Sequence, residues 1–94
     1  MDSEKVIEAT LRNTIKAKNG WCIKLEANFI SGLPDRMCLL PNGVIFFAEL
    51  KSTGKKPTKI QSLVHRRLSE LGFKIYAIDS IEKLKKVIRI YECE

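Results

Sequence analysis

The sequence predicts an α/β fold in which a mixed four-stranded sheet is flanked by helices, with the element order αβββαβα. Apolar residues recur at helical spacing in three segments, and four short apolar segments bounded by turn residues have the character of strands. The first three strands follow one another directly and so form an antiparallel meander. A helix separates the third strand from the fourth, which favours a parallel return. We therefore expect helices on both faces of one mixed sheet.

The amino-terminal half supplies one helix and three strands. Ser3 is placed to cap the first helix, and the Asn-Gly pair at 19–20 ends it. The inward residues of this helix are spaced four apart: Ile7, Leu11 and Ile15. Runs of apolar and alternating residues then predict three strands, over 21–27, 35–40 and 44–51.

A second helix and a fourth strand follow. Residues 52–57 are too rich in turn formers and charge for regular structure. Thr58 is predicted to cap a helix that Gly72 ends, and the inward face of this helix has five apolar residues: Ile60, Leu63, Val64, Leu68 and Leu71. The segment 73–78 is the predicted fourth strand.

A third helix completes a single predicted domain over residues 1–94. Either Asp79 or Ser80 caps this helix, and the tail from Arg89 is ambiguous. Its inward residues are Ile81, Leu84, Val87 and Ile88. A chain of 94 residues is near the size at which buried surface leaves little stability margin, so we expect oligomerisation to help.

The composition argues against a membrane protein. Hydrophobic residues make up 45% of the chain and charged residues 30%, and the longest apolar run, 44–48, is far too short to span a bilayer. The first five residues lack the features of a signal peptide, so we expect a cytoplasmic protein. The three cysteines fit neither a disulfide framework nor a C-x-x-C metal site, and we expect buried reduced thiols at Cys22, Cys38 and Cys93.

The net charge of +6 favours a nucleic-acid partner. From Ala48 onward the chain has eleven Lys or Arg against six Asp or Glu, whereas the first 47 residues have six against five. A positive field attracts phosphates and releases their counterions, although many basic proteins bind no nucleic acid. The basic surface therefore belongs to the second half of the chain.

Three ionisable side chains are predicted to meet at one end of the sheet. Glu49 and Lys51 lie two apart in a strand and share a face, while Leu50 points to the other face. If the strand that begins at Asp35 pairs antiparallel with this one across the turn at 41–43, Asp35 lies beside both of them. An isolated E-x-K triplet is commonly a surface ion pair, but this one closes an apolar strand and follows a Gly-x-Pro-Asp turn.

Two carboxylates at one point suit Mg²⁺ or Mn²⁺. These hard cations take oxygen ligands and keep several waters, so a small protein can hold one with two carboxylates. A lysine beside them could orient an attacking water or offset charge that develops on a phosphate. The sequence therefore predicts a divalent-metal site that acts on a phosphate substrate.

The arrangement resembles the PD-(D/E)XK nuclease superfamily and, within it, the VRR-NUC family. Segments 32–36 (GLPDR) and 47–51 (FAELK), with Gln61 and with His65 one turn later, stand in the order and approximate spacing of that family. The resemblance covers nearly the whole chain and implies a restriction-endonuclease-like αβββαβ core with an extra carboxy-terminal helix. Stand-alone members of the family, common in phages and bacteria, resemble Holliday junction resolvases.

The resemblance also implies roles for four residues. Asp35 and Glu49 would be the metal ligands, and Leu50 would lend its backbone carbonyl. Lys51 would serve the attacking water.

The resemblance implies further roles for residues of the predicted helices. The family has a glutamate in the first helix, for which Glu4 and Glu8 are candidates. We favour Glu8 as a catalytic residue and metal ligand because it lies deeper in the helix, and the alternative is an exposed carboxylate paired with Arg12. Gln61 matches the family motif and would hold the lysine or a bound water, or would simply be a polar residue of the first turn. His65 would contact a phosphate or assist proton transfer, or would pack beside its neighbours.

Several basic residues are candidate contacts for the DNA backbone, with solvated surface charge as the alternative for each. Besides His65 they are Lys24, Lys55, Lys56, Lys59, Arg66 and Arg67. The predicted protein is thus a Mg²⁺- or Mn²⁺-dependent endodeoxyribonuclease that cuts four-way junctions, working as a homodimer in a bacterial or phage-infected cell. The alternatives are a nuclease for flaps, nicks or ordinary duplex, and a non-catalytic DNA-binding subunit. Residues 87–91 are the candidate dimer interface.

Overall fold

The described part of the chain, residues 1–26, 28 and 30–92, folds in the predicted order αβββαβα in the computed structural model. The helices are α1 (Glu4–Ala17), α2 (Lys59–Glu70) and α3 (Ile81–Ile90). The strands are β1 (Trp21–Lys24), β2 (Arg36–Leu40), β3 (Val44–Leu50) and β4 (Ile75–Ile78). Cys93, predicted as a buried thiol, lies outside the described residues.

The four strands form one mixed sheet in the order β1-β2-β3-β4. Strands β1, β2 and β3 are antiparallel neighbours, and β4 returns parallel to β3 after α2, which confirms the predicted α/β class. Strand β4 starts two residues later than predicted. The reason is that the N–H of Phe73 donates to the carbonyl of Leu68 at 3.0 Å, so this residue still belongs to the end of α2.

Side chains cap all three helices where the sequence predicts. The Ser3 hydroxyl accepts from the N–H of Val6, and the Ser80 hydroxyl accepts from the N–H of Lys83. Thr58 and Gln61 form a reciprocal capping box at the start of α2. Helix α3 extends to Ile90, so the first two residues of the ambiguous tail are helical, and residues 91–92 form a turn.

One face of the sheet holds the core. Helices α1 and α3 pack on this face and bury Phe46, Ala48 and Leu50 of β3. The helical residues that meet them are the predicted ones: Ile7, Leu11, Ile15, Leu84, Val87 and Ile88. Val87 and Ile88 are buried within one chain, so of the apolar residues in the predicted dimer interface at 87–91, Ile90, at 57% exposed, offers the most free surface.

The opposite face is covered only in part, so helices do not shield both faces equally. Helix α2 contacts β4, and no residue of α2 is fully buried. The predicted inward face of α2 is therefore wrong in part, since Ile60, Leu63 and Leu71 are each more than half exposed. Helical spacing indicates that a face is apolar but does not say that the same chain covers it. No described helix is long and apolar enough to cross a bilayer.

Three strands contribute apolar residues to this face of the sheet beside α2, and we call the surface that they form the open face. By strand register, its residues alternate with the buried ones. They are Trp21, Ile23, Met37, Leu39, Ile45 and Phe47. Trp21 is 67% exposed and Ile45 is 40% exposed, and the other four are part-buried.

Candidate active site

The predicted carboxylates meet where β2 begins and β3 ends. Arg36 pairs with Ala48, so Asp35, one residue earlier, lies next to Glu49. The carboxylate of Asp35 accepts a hydrogen bond from the N–H of Leu50 at 2.7 Å. This bond ties Asp35 to the end of β3 and fixes its side chain beside that of Glu49.

Glu49 is the centre of the site. Its side chain has no exposed surface, and three side chains contact its carboxylate. Nζ of Lys51 lies 3.4 Å from Oε2, Nε2 of Gln61 donates to Oε2 at 3.0 Å, and Nε2 of His65 lies 3.4 Å from Oε1. The structure thus brings Asp35, Glu49, Lys51, Gln61 and His65 together.

The electrostatics of this group favour a cation. Burial, followed by the charge of Asp35, raises the pKa of Glu49 to about 7, although Lys51 acts in the opposite direction. Burial also lowers the pKa of His65, which favours the neutral imidazole. Two carboxylates that repel one another away from water are stabilised when a positive ion binds between them.

The residues present fit a hard divalent cation. Carboxylate oxygens are the ligands that Mg²⁺ and Mn²⁺ prefer, and Asp35 and Glu49 supply them. Among the described residues, no group of three Asp, Glu, His or Cys side chains forms a ready-made metal cluster. An ion at this point would therefore keep part of its water shell, as Mg²⁺ commonly does.

Glu8 lies beside this group but has different partners. Its carboxylate is bound by the guanidinium of Arg36, and Nε of Arg12 lies 4.0 Å away. Glu8, Asp35 and Leu50 line a common cavity of about 350 Å³. The role of Glu8 as a metal ligand stays a prediction, since its carboxylate is paired with a cation of the protein.

Arg36 is a site residue to which the sequence argument gave no role. Its side chain is nearly buried, and it also donates to the carbonyl of Cys22 at 3.3 Å. Its position in the sequence could have identified it. Arg36 directly follows Asp35 at the start of a strand, so its side chain points to the face opposite that of Asp35. On that face it meets α1 and connects Glu8 to the sheet.

Gln61 uses both ends of its amide. Oε1 accepts from the N–H of Thr58 at 2.8 Å in the capping box, and Nε2 donates to Glu49. The side chain is therefore held between the first turn of α2 and the end of β3. The sequence predicts that Gln61 holds the lysine or a bound water, whereas the structure places its amide on Glu49, and its role in the reaction stays a prediction.

The loop after β3 is anchored near the site. The hydroxyl of Thr53 donates to the carbonyl of Asp79 at 3.0 Å, and the N–H of Gly54 donates to the carboxylate of Asp79 at 3.3 Å. The predicted phosphate-contacting residues project into solvent from this loop, from α2 and from the end of β1: Lys55, Lys56, Lys59, Arg66, Arg67 and Lys24. Lys24 also lines the cavity that holds Glu8 and Asp35.

Comparisons with known proteins identify a curated relative and a solved structure that are similar to this chain. The chain is 39% identical over 77 residues to "Putative nuclease p44" of Acyrthosiphon pisum secondary endosymbiont phage 1, over 82% of this chain and 83% of that protein. A solved structure described as "VRR_NUC domain" superposes with a TM-score of 0.87 at 28% identity and covers 96% of this chain and 99% of its own. No family model matches the sequence.

Proposed function

Since the chain belongs to the VRR-NUC family, we propose that it is a nuclease that hydrolyses DNA phosphodiester bonds with Mg²⁺ or Mn²⁺ held by Asp35 and Glu49. The proposal depends most on one observation. The buried carboxylate of Glu49 lies beside Asp35 and contacts Lys51, Gln61 and His65. A metal-dependent nuclease can use carboxylates to bind the cation and a nearby amine to stabilise charge on the phosphate.

We assign a separate role to each side chain of the site. A bound divalent ion supplies electrophilic stabilisation of the phosphate and lowers the pKa of a coordinated water. Lys51, held by Glu49, places its ammonium group where it can orient the attacking water and offset negative charge on the phosphate. Gln61 and His65 keep the Glu49 carboxylate in one orientation, and the Leu50 carbonyl is a candidate third ligand from the protein.

The substrate we propose is branched DNA, and among branched structures we propose the four-way junction as the preferred substrate. The test incubates purified protein with labelled four-way junction, flap, nicked, single-stranded and linear duplex DNA, each with Mg²⁺, with Mn²⁺ and with chelator. We expect cleavage with either metal, none with chelator, and the fastest cleavage on the junction. Preferential cutting of flaps, nicks or duplex would redirect the substrate assignment, and binding without cleavage under every condition would make the chain a non-catalytic DNA-binding subunit.

The basic loop after β3 is expected to contact DNA phosphates. Changing Lys55, Lys56 and Lys59 together to alanine should weaken binding of all DNAs to a similar degree, because phosphate contacts carry no sequence information. The slope of log affinity against log salt should fall by roughly 0.9 for each phosphate that the variant no longer neutralises. Fluorescence anisotropy over a salt series measures both quantities.

A matched variant separates local contacts from net charge. Lys16, Lys85 and Lys86 are three exposed lysines elsewhere on the surface, and their joint change to alanine removes the same charge. This control should retain most of the affinity and of the salt slope. An equal decrease in affinity for the two triple variants would show that the loop has no special role.

We further propose that the working unit is a homodimer that pairs through the open face. Symmetric incision of a four-way junction needs two sites, and the described residues of each chain form one. The six residues of the open face are all apolar, so the face suits a second copy of itself better than a charged partner. Its exposed tryptophan is the kind of side chain that commonly dominates binding energy.

Light scattering at micromolar concentration tests the dimer. The wild-type chain should have about twice its 10.7 kDa mass, and Trp21→Glu combined with Ile45→Glu should yield a folded monomer, because two apolar contacts become buried charges. Val6 and Ile90 are comparably exposed apolar residues on α1 and α3, and their change to glutamate should leave the dimer intact. A wild-type monomer that cuts junctions in pairs would overturn the proposal.

A further inference from the structure

Two cysteines face one another across the first two strands of the sheet. Cys22 of β1 is the register partner of Cys38 of β2, and their sulfur atoms lie 3.9 Å apart. Both are free thiols. They lie on the face covered by α1, away from the Glu49 carboxylate, and neither has a part in the proposed hydrolysis.

The ladder geometry brings their backbones close together. The N–H of Leu25 donates to the carbonyl of Asp35 at 2.9 Å, which marks this pair as a hydrogen-bonded position of the antiparallel ladder. Hydrogen-bonded and non-hydrogen-bonded pairs alternate, so Cys22 and Cys38, three positions away, form a non-hydrogen-bonded pair. In such pairs the Cα atoms are about 4.5 Å apart, inside the range that a disulfide bridges.

The surroundings distinguish the two thiols. Cys38 is fully buried, whereas Cys22 is half-buried and open to small reagents. The hydrogen bond with Cys38 lowers the pKa of Cys22, burial opposes this, and the nearby charge of Arg36 lowers the pKa further. The same contact and burial raise the pKa of Cys38. Cys22 is therefore the more reactive thiol, since the thiolate is the nucleophile.

We propose that Cys22 and Cys38 form an oxidation site at which a peroxide converts the two thiols into a cross-strand disulfide. The Cys22 thiolate attacks one peroxide oxygen and breaks the O–O bond, which gives a sulfenic acid and, for hydrogen peroxide, one water. The Cys38 sulfur then attacks the Cys22 sulfur, the S–O bond breaks, and a second water leaves. Two thiols and one hydrogen peroxide thus become one disulfide and two waters, with both electrons transferred to the peroxide.

The disulfide would join β1 to β2 around the segment that leads to Asp35. The two cysteines are 16 positions apart, so the bond closes a loop that contains the Gly-Leu-Pro-Asp turn. Closing a loop of this size removes entropy from the unfolded chain and raises thermal stability. The short Cα separation lies near the lower limit for a disulfide, so we expect the bond to be reversible by dithiothreitol.

Peptide mapping tests the proposal on the Cys93→Ser protein, which removes the third thiol. The protein is treated with hydrogen peroxide at a few equivalents, blocked with iodoacetamide and digested with trypsin. We expect peptide 19–24 joined to peptide 37–51, with the mass lowered by two hydrogens, in a chain that stays at its original oligomeric mass. The melting temperature should rise by about 5 °C or more and return after dithiothreitol.

Single-thiol variants identify the order of events. Both are made in the Cys93→Ser protein. In Cys38→Ser, peroxide should leave a sulfenic acid on Cys22 that dimedone traps, and in Cys22→Ser the remaining thiol should react far more slowly. Neither variant should show the reversible rise in melting temperature, and alanine replaces serine if the buried hydroxyl at position 38 prevents folding. Independent oxidation of the two cysteines, or cross-links only between chains, would overturn the proposal.

Discussion

Asp35→Ala, Glu49→Ala and Lys51→Ala are each expected to lower DNA cleavage by at least ~10²-fold while the fold and DNA binding survive. The magnitude is that of removing one electrostatic stabiliser from an active site. The structural reason is that Asp35 and Glu49 adjoin and that the ammonium group of Lys51 lies 3.4 Å from Glu49, so each change removes one part of a compact group. Single-turnover cleavage of the preferred DNA measures the decrease.

Conservative variants separate chemistry from structure. Asp35→Asn keeps an oxygen that can accept from the N–H of Leu50, so it should fold like the wild type and still fail to cleave. Glu70→Gln removes an exposed carboxylate at the end of α2 and should cleave normally. Wild-type cleavage by Asp35→Ala, with its metal requirement intact, would show that the site has been assigned to the wrong residues.

Gly32→Ala is expected to lower both stability and cleavage. Gly32 has φ +87°, and a Cβ there would lie 2.8 Å from the carbonyl oxygen of Ile60 and 2.9 Å from Cγ2 of Val64. The backbone strain and the overpacking together cost about 2–4 kcal/mol. Because the carbonyl belongs to the backbone of α2, relief of the clash moves the helix that carries Gln61 and His65, and cleavage should fall as well.

Gly43→Ala is the matched control for this change. Gly43 also has positive φ, but nothing lies within 4 Å of the added Cβ, so only the strain of about 1–2 kcal/mol remains. Urea unfolding gives the two stabilities, and cleavage is measured at a temperature where both variants are folded. Equal decreases in stability, with normal cleavage in both, would mean that the contact between Gly32 and α2 does not position the site.

Local signals explain why much of the fold was predictable. Ser3, Thr58 and Ser80 are typical cap residues, and they cap the three helices. The strand and turn pattern correctly placed Asp35 beside Glu49, because an antiparallel pair across a short turn has few possible registers. These features depend on residues close to one another in sequence or on one hairpin.

Features that depend on distant partners were not predictable. The spacing of Glu8 identified its face on α1 but did not reveal Arg36 on β2 as its partner. Likewise, the apolar residues Ile60 and Leu63 gave α2 an apparent inward face, although the chain leaves them exposed. In both cases the partner or the exposure depends on which other element packs against the helix, and the periodicity of the helix carries no information about that.

The amide of Gln61 couples the folding of the first turn of α2 to the position of the Glu49 carboxylate. The same side chain closes the capping box with Thr58 and donates to Glu49, so fraying of the first turn of the helix would also break the bond between Gln61 and that carboxylate. By thermodynamic reciprocity, whatever fixes the carboxylate must also suppress fraying. Glutamate at this position would serve the capping box as well as glutamine does, but it would bring a third negative charge to the site. Helix capping alone therefore does not explain why position 61 is glutamine and not glutamate. The contact with Glu49 at the end of β3 does explain it.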